Sequence, residues 1–183
     1  MPAELVTTSR HLHVTGWSLF GDPPRGAALR AVELAQAAGA TISFDPSAHV
    51  LIDELGVAAF LEMTVPLRPT VIFPNRTEGE VLTGAREPEA IVARLGELYP
   101  GSVAVLKLDT EGAFVDGEHV PAAAVTAVDT TGAGDSFAGA FLAAWLAGAD
   151  PIAAARAAVD VAGWVVQRVG ARPPAPWRRQ RRD

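Results

Sequence analysis

A short glycine-rich turn, Thr-Thr-Gly-Ala-Gly-Asp at positions 130–135, carries the residues of this sequence best suited to chemistry. A nearly uncharged apolar run follows it, with aromatic residues at 137, 141 and 145, the spacing of one helix face. The start of a helix has free backbone N–H groups and the positive end of the helix dipole. Small residues let an anion come close to those groups. The turn is therefore predicted to hold negative charge.

Asp135 ends this turn and has two interpretations. A carboxylate in a first helical turn stabilises the helix through its dipole, which explains most single aspartates at such positions. Alternatively, Asp135 takes a proton from a substrate hydroxyl. Neither familiar phosphate motif fits, because Phe137 stands where a dinucleotide fingerprint needs a glycine and no lysine is nearby in the sequence for a Walker loop. The turn is thus expected to work without a side-chain cation, which suits phosphoryl transfer onto a hydroxyl by amides and a carboxylate.

Strands and helices alternate along most of the chain, and the apolar strands are short and continuous. This pattern predicts an α/β fold with a mostly parallel sheet and helices on both faces. The predicted strands are 11–20, 41–47, 70–75 and 102–108. The predicted helices are 25–40, ending at Gly39, then 87–101, then one from Pro151 to near Gly170, while 55–63 has a less regular pattern.

Two local signals predict turn and cap geometry. Asp116-Gly117 lies between apolar segments in 112–122 and predicts a hairpin with a type I′ turn, which needs two positive φ angles. Asp150-Pro151 predicts an N-cap followed by proline at the first helical position.

Composition limits the class of protein. The formal net charge is −6, whereas a general nucleic-acid binder is more often basic, and cysteine is absent, which excludes disulfides and thiolate metal sites. The N-terminus does not have the pattern of a signal peptide, and the longest apolar run covers only 13 residues, 137–149. We therefore expect a cytoplasmic protein with no nucleic-acid or membrane partner.

Residues 129–141, Asp-Thr-Thr-Gly-Ala-Gly-Asp-Ser-Phe-Ala-Gly-Ala-Phe, resemble the C-terminal signature of the ribokinase-like (PfkB) family of carbohydrate kinases. The resemblance implies transfer of a phosphoryl group from ATP, with Mg²⁺, to a hydroxyl of a sugar-like substrate. It makes Asp135 the catalytic base. The implied anion hole consists of the amides of Gly132, Ala133 and Gly134. The implied monovalent-cation site, for K⁺, consists of Asp129, Thr131 and Gly170.

Other segments resemble further parts of this family. Asn75 and Glu78 match its N-x-x-E motif, which organises Mg²⁺ and phosphate through water, although a helix cap explains this pair equally well. The segment 103–115 resembles the strand and turn under the ATP phosphates, which implies phosphate contacts for Lys107 and Gly112. Asp109 replaces the first glycine of that turn. The last helix resembles the element beside the adenine, which places Ala158 near the base.

The resemblance covers only the C-terminal part of the family pattern. The N-terminal block, with its glycine-glycine sugar motif and lid, has no counterpart, so we expect either a fragment or a shortened relative. Residues 1–170 are then the nucleotide-binding and catalytic part, and 171–183 a proline-rich basic tail. An unpaired sheet edge is expected, and with it association, for example as a homodimer.

Several alternatives stay open. The acceptor is a sugar or a nucleoside-like molecule, and the sequence does not name it. A non-catalytic remnant that binds nucleotide or a partner is the alternative to a kinase, and a dinucleotide-dependent dehydrogenase lacks its fingerprint. His11 and His13 share one strand face, but two ligands are too few for a metal site, so they are interpreted as ordinary strand residues.

Overall fold

The computed structural model describes residues 2–171, which form two compact units divided between Leu106 and Lys107. Four strands of the first unit run parallel to one another, each paired with the next along the chain. They are β1 (His11–Thr15), β2 (Thr41–Asp45), β3 (Val71–Ile72) and β4 (Val103–Lys107), and β4 ends on the first residue of the second unit. Strand β3 and the middle of β4 consist of buried apolar side chains, as expected for parallel strands, whereas β1 and β2 alternate apolar with polar side chains.

One helix, α1 (Ala3–Thr7), precedes β1, and five helices lie between the successive strands: α2 (Pro24–Ala37), α3 (His49–Leu55), α4 (Val57–Thr64), α5 (Arg76–Thr83) and α6 (Pro88–Leu98). Phe44 of β2 and Phe60 of α4 are fully buried, and their ring centroids lie 6.0 Å apart. Ala31 and Ala35 of α2 pack with Val6 and with Leu12 of β1. The helices thereby cover apolar side chains of the parallel strands.

The second unit contains a hairpin and two long helices. Strands β5 (Ala113–Val115) and β6 (Glu118–Val120) are antiparallel, and the helices are α7 (Ala133–Leu146) and α8 (Pro151–Val165). Helix α8 packs against α7 and against both hairpin strands. Asp116 and Gly117 have φ angles of 52° and 81°, which confirms the predicted turn. Asp150 accepts a hydrogen bond from the amide of Ala153 at 2.8 Å, which confirms the predicted cap of α8.

The α/β class and the parallel strands are confirmed, but several boundaries were predicted wrongly. Strand β1 ends at Thr15, where a short 3₁₀ helix, Gly16–Leu19, begins. A Cβ on Gly16 would lie 2.0 Å from the carbonyl oxygen of Pro46, so tertiary contact fixes the chain at this point. Helix α8 ends at Val165 rather than near Gly170. The less regular stretch is helical, with Gly56 at a φ of 86° between α3 and α4.

Three further predictions concern the sheet edge, membrane-spanning helices and the C-terminal tail. Strand β1 pairs with β2, and no other described strand lies on its outer side. Within residues 2–171, no helix combines the length and apolar character needed to cross a membrane. The tail predicted over 171–183 lies, apart from Ala171, outside the described residues.

His11 and His13 lie on a polar face of β1 and share hydrogen bonds with β2. His11 bonds to the hydroxyls of Thr41 and Ser43 at 2.7 and 2.8 Å, and His13 bonds to Ser43 at 2.7 Å. Burial, and secondarily the charge of His13, lower the pKa of His11. Because the folded state resists protonation of His11, its stabilising contribution is present above the unfolded pKa near 6.5 and is lost as the pH falls below that value.

The lowered pKa of His11 predicts how the stability of the folded protein depends on pH. The free energy of unfolding, measured by urea titration and circular dichroism, should fall between pH 7.5 and pH 5.5. His11→Gln should remove part of that fall, because glutamine can hydrogen-bond but does not titrate. His49→Gln in the same unit is the matched control and should retain the wild-type slope. An unchanged slope in His11→Gln would contradict this assignment.

Candidate active site

Helix α7 begins at the glycine-rich turn, as the sequence predicted. Gly132 is its N-cap, with a φ of 76° that favours glycine, and the helix runs from Ala133 to Leu146. Phe137 and Phe141 of the predicted apolar face are buried and anchor the helix within its unit. Asp135, in the first turn of this packed helix, is exposed.

The amides of this turn are engaged unequally. The Ala133 N–H donates to the Thr130 carbonyl at 3.1 Å, and the Ser136 N–H donates to the Gly132 carbonyl at 2.9 Å. In the described part of the chain, the N–H groups of Gly134 and Asp135 have no backbone acceptor. Ala133 would have to share its hydrogen bond in order to hold an anion. Gly134 and Asp135 supply the open donors at this helix terminus.

Asp129 ties the turn to the segment that follows α8. One carboxylate oxygen accepts the Thr131 N–H at 2.9 Å, and the other accepts the Gly170 N–H at 2.8 Å. Hydrogen bonds from the Thr131 side chain, and then from the Gly170 and Thr131 amides, lower the pKa of Asp129 to about 2. The three residues predicted for a cation site are thus together, joined by one ionised carboxylate.

Two further contacts hold the same segment, and sequence reasoning missed both. A Cβ on Gly132 would lie 2.9 Å from the Cα of Ala171, so the two backbones touch. The Arg168 guanidinium stacks 3.9 Å from the centroid of the Trp164 ring and donates to the Trp164 carbonyl. The Arg168-Trp164 spacing of four residues is a signal that the sequence offered for the second contact.

Lys107 lies beside the start of α7, which corrects one prediction. Its Nζ is 3.6 Å from the point that a Cβ on Gly134 would occupy. The turn was expected to work without a side-chain cation, and that expectation was wrong, because β4 brings Lys107 there from 27 positions away in the chain. This distance is an ordinary van der Waals contact, so a methyl group at position 134 would also fit beside the ammonium group.

The turn after β4 has structural reasons for its sequence. A Cβ on Gly112 would lie 2.1 Å from the Val120 carbonyl oxygen, and its φ is 100°, so only glycine fits. Asp109 is exposed with a φ of 52°, the conformation that the family's glycine adopts easily. A phosphate role for Gly112 stays a prediction, since its packing against the hairpin already explains it.

Asn75 and Glu78, in the first unit, form a capping box at the start of α5. The Asn75 side chain accepts the Glu78 N–H at 2.8 Å, and the Glu78 carboxylate accepts the Asn75 N–H at 2.9 Å. Glu78 is only 2% exposed. The structural interpretation of this pair is therefore confirmed, and a role for it toward Mg²⁺ stays a prediction.

Two observations limit the remaining assignments. Ala158 is fully buried in α8, so its methyl group offers no open surface to a nucleobase. Within residues 2–171, no three His, Asp or Glu side chains are placed to hold a metal ion directly.

The backbone contact at Gly132 predicts a stability difference between two glycines of the same segment. Gly132→Ala should destabilise the protein by more than about 1 kcal/mol, because alanine resists a left-handed φ and its methyl meets Ala171. Gly139→Ala, within α7 and with open space around it, should be neutral or stabilise by about 0.5–1 kcal/mol. Urea unfolding of both variants measures this, and equal effects would contradict it.

The environment of Asp129 predicts its titration. Carboxyl-detected NMR should place its pKa near 2 in the folded protein, below the ordinary 3.8. Its stabilising contribution is present above the unfolded pKa and is lost as the pH falls from about 4 toward 2. Asp129→Asn should abolish that part of the pH dependence, while Asp116→Asn in the hairpin turn should leave it. A normal pKa for Asp129 would show that the two backbone hydrogen bonds do not persist in solution.

Comparisons with known proteins find consistent relatives. The family model described as pfkB family carbohydrate kinase matches residues 2–178. Fructokinase-1 of Oryza sativa subsp. japonica is 31% identical over 144 residues, which cover 76% of this chain and 45% of that protein. The adenosine kinase structure from Sinorhizobium meliloti has a TM-score of 0.84 at 26% identity and covers 96% of this chain and 54% of that one. A putative ribokinase II from E. coli, in complex with ATP and Mg²⁺, has a TM-score of 0.79 at 28% identity, covering 93% and 56%. The chain thus spans about half the length of the relatives it matches, and it belongs to the pfkB family of carbohydrate kinases.

Proposed function

We propose that this chain carries the phosphoryl-transfer site of an ATP-dependent kinase that acts on a hydroxyl of a sugar or nucleoside-like molecule. The observation that carries the proposal is the amino terminus of α7. An open amide at Gly134, the ammonium group of Lys107 and the exposed carboxylate of Asp135 all lie at this helix terminus. Negative charge and a reacting hydroxyl can meet there.

Asp135 is proposed as the general base. Its side chain is exposed, and within residues 2–171 no hydrogen-bond donor or ion-pair partner engages its carboxylate. It is therefore open to an incoming hydroxyl, whose proton it would accept as the hydroxyl oxygen attacks phosphorus. A purely structural role through the helix dipole would require no such access.

The proposed anion hole uses the backbone of 132–135. Gly134 has the open amide, Gly132 sets the left-handed N-cap, and Ala133 contributes once it shares its bond with Thr130. These donors are fixed before any ligand arrives, since Asp129 and Ala171 hold the turn from the other side. Preorganised donors of this kind stabilise charge that develops on a transferring group.

The nucleotide is proposed to be ATP with Mg²⁺, in keeping with the E. coli ribokinase II complex. Lys107 and Gly112, at the end of β4 and in the turn after it, would lie along its phosphates. The oxygens of Asn75 and Glu78 are of the type that Mg²⁺ prefers, but both side chains already close the α5 cap, so only contact through water fits. Mg²⁺ would neutralise charge on the phosphates.

A monovalent cation such as K⁺ is proposed beside Asp129. The carboxylate is held ionised, and the backbone of Thr131 and Gly170 surrounds it. The two amides and the Thr131 side chain occupy three of the four acceptor positions of the carboxylate, which leaves one for a cation. Such an ion would stiffen the anion hole rather than touch the reacting atoms.

The acceptor is proposed to be a sugar or a nucleoside, because relatives include a fructokinase and an adenosine kinase. A second candidate function is that of a nucleotide-binding remnant without transfer activity. The observation that favours it is Asp109, an exposed carboxylate in the turn after β4 at the position where the family has a glycine. The two candidates differ in one measurable respect, namely transfer of labelled phosphate from ATP.

The base assignment predicts the outcome of one substitution. With fructose, ribose and adenosine as trial acceptors, Asp135→Asn should lower the transfer rate by about 10²–10⁴ while ATP affinity stays within a few-fold. Asp116→Asn, an equally exposed change in the hairpin turn of the same unit, is the control and should retain full activity. Radiolabelled transfer and calorimetric ATP titration on the same samples measure the two quantities.

Three results would count against the proposal. An Asp135→Asn variant with more than about a tenth of the wild-type rate would refute the base assignment. Wild-type protein that binds Mg-ATP but transfers nothing to any acceptor would favour the remnant. Folded wild-type protein that binds no nucleotide at millimolar concentration would refute both the kinase and the nucleotide-binding remnant.

A further inference from the structure

A cavity of about 480 Å³ opens at the amino ends of strands β3 and β4, inside the first unit. Residues from 65–69, before β3, form one wall, and residues from 99–102, before β4, form the other. Ligand pockets typically have volumes of about 300–1,000 Å³, so the cavity is large enough for a small organic molecule. None of the residues proposed for phosphoryl transfer lines it.

A tight turn fixes the second wall of this cavity. Pro100 and Gly101 are the central residues of the turn, which the Ser102 N–H closes by donating to the Tyr99 carbonyl at 3.1 Å. The φ of Gly101 is 84°, as a type II turn requires at its third residue. The Ser102 hydroxyl donates to the carbonyl of Pro69, which joins the turn to the opposite wall. The cavity therefore has its shape before any ligand binds.

Two further side chains hold the walls in place. The Gln36 side-chain amide donates to the carbonyls of Pro66 and Leu67 at 3.2 and 3.1 Å. The Tyr99 side chain is only 3% exposed, and its hydroxyl bonds to the Thr64 hydroxyl at 2.8 Å. Burial raises the pKa of Tyr99 to about 12, so this part of the lining is neutral at physiological pH.

The backbone of the lining offers no spare hydrogen-bond donor. Three of the seven lining residues are prolines, at positions 66, 69 and 100, and proline has no backbone N–H. The other four donate their N–H groups within the fold, to the carbonyls of Leu61, Val65, Leu95 and Tyr99. The prolines and the aliphatic side chain of Val65 leave an apolar surface, which favours a ligand with an apolar body.

Arg68 is the charged residue of this lining, and its backbone is strained. Its φ and ψ are 48° and 56°, the left-handed conformation that arginine adopts at an energetic cost. Pro69 follows it, and a residue before proline is normally extended. Glycine would meet this geometry more easily, so the turn itself does not explain an arginine. Within residues 2–171, the exposed guanidinium of Arg68 has no hydrogen-bond or ion-pair partner.

We propose that this cavity binds a small monocarboxylate with an apolar ring system, whose carboxylate pairs with Arg68. The planar guanidinium fork matches the two oxygens of a carboxylate and can bond to both. The ring system would lie against the proline rings and Val65 and remove their apolar surface from water. This site is independent of the proposed kinase function, because it shares no residue with it.

The number of donors favours a carboxylate over a phosphate. A phosphate group carries about two negative charges at neutral pH and has three terminal oxygens. The lining supplies one guanidinium, and its backbone N–H groups are all in use. One bidentate pair satisfies a carboxylate, whereas a phosphate would keep charge and oxygens without partners beside an apolar wall.

An NMR titration of the folded 183-residue chain with 2-naphthoate tests the proposal. We expect saturable shifts of the amides of Val65, Arg68 and Ser102. The dissociation constant should be about ten-fold lower than for 2-naphthamide, which has the same rings without the charge. Acetate, which has the charge without the rings, should give no saturable shifts, and 2-naphthyl phosphate should bind more weakly than 2-naphthoate.

Two pairs of variants locate the site. Arg68→Asn removes the charge and keeps a residue that tolerates a left-handed φ, so it should weaken 2-naphthoate binding about ten-fold without lowering the urea midpoint. Arg86→Asn, at an exposed arginine of the same unit, is its control and should keep the wild-type affinity. Val65→Glu would place a repelling carboxylate on the wall and should prevent binding, whereas Val50→Glu, at an exposed valine of α3, should not.

Four results would overturn the proposal. Equal affinities for 2-naphthoate and 2-naphthamide would show that no cation recognises the ligand, and tighter binding of 2-naphthyl phosphate would refute the choice of anion. Shifts that do not saturate, or that lie away from the cavity, would show that the walls form no site. Unchanged binding of 2-naphthoate by folded Arg68→Asn would exclude the ion pair. None of these results bears on nucleotide binding, so the proposed kinase function would stand or fall separately.

Discussion

One carboxylate holds the geometry of the site. Asp129 accepts an amide proton from Thr131 on one oxygen and from Gly170 on the other, so it joins two backbone segments 41 residues apart. The Val128 and Asp129 amides add to this by donating to the Val166 carbonyl at 2.7 and 3.1 Å. Because these bonds involve backbone groups, they fix the path of the chain rather than a side-chain position. The start of α7, and with it the open amides of Gly134 and Asp135, is placed by this connection.

Close backbone contact is the second constraint, and it explains which glycines the site requires. Gly132 touches Ala171, and Gly112 touches Val120 and Ala122, in both cases at distances that no Cβ tolerates. Gly134 differs from these two, since its Cβ point is free of backbone and meets only the end of Lys107. Close backbone contact thus requires two of these glycines, whereas a methyl group at position 134 would make only ordinary van der Waals contact with Lys107. Space alone therefore does not require the third glycine.

Local physics made part of the structure predictable from sequence. The Asp116-Gly117 turn and the Asp150 cap depend on neighbouring residues, and both were predicted correctly. The end of β1 was not predicted correctly, because Gly16, just after β1, contacts Pro46, just after β2. The end of α8 was not either, since the carbonyl of Val166 is taken by amides from residues 128 and 129. Boundaries set by distant backbone groups leave no periodic signal in the sequence.

The same distinction applies to the site. The glycine turn and its aspartate are contiguous, so a hypothesis about their chemistry could be made from the order of residues alone, whereas Lys107 reaches the turn from the end of β4. The position of the Lys107 ammonium group matters because the chain has a net charge of −6, which disfavours a polyanionic ligand at long range. At physiological ionic strength charges farther away than about 8 Å are largely screened. In the proposed site, the charges that would decide whether a phosphate stays are therefore those within a few ångströms, namely the α7 terminus and Lys107, which attract it, and Asp135, which repels it. As the proposed base, Asp135 would have to lie close to the phosphate, and the ammonium group of Lys107 would offset the repulsion between them.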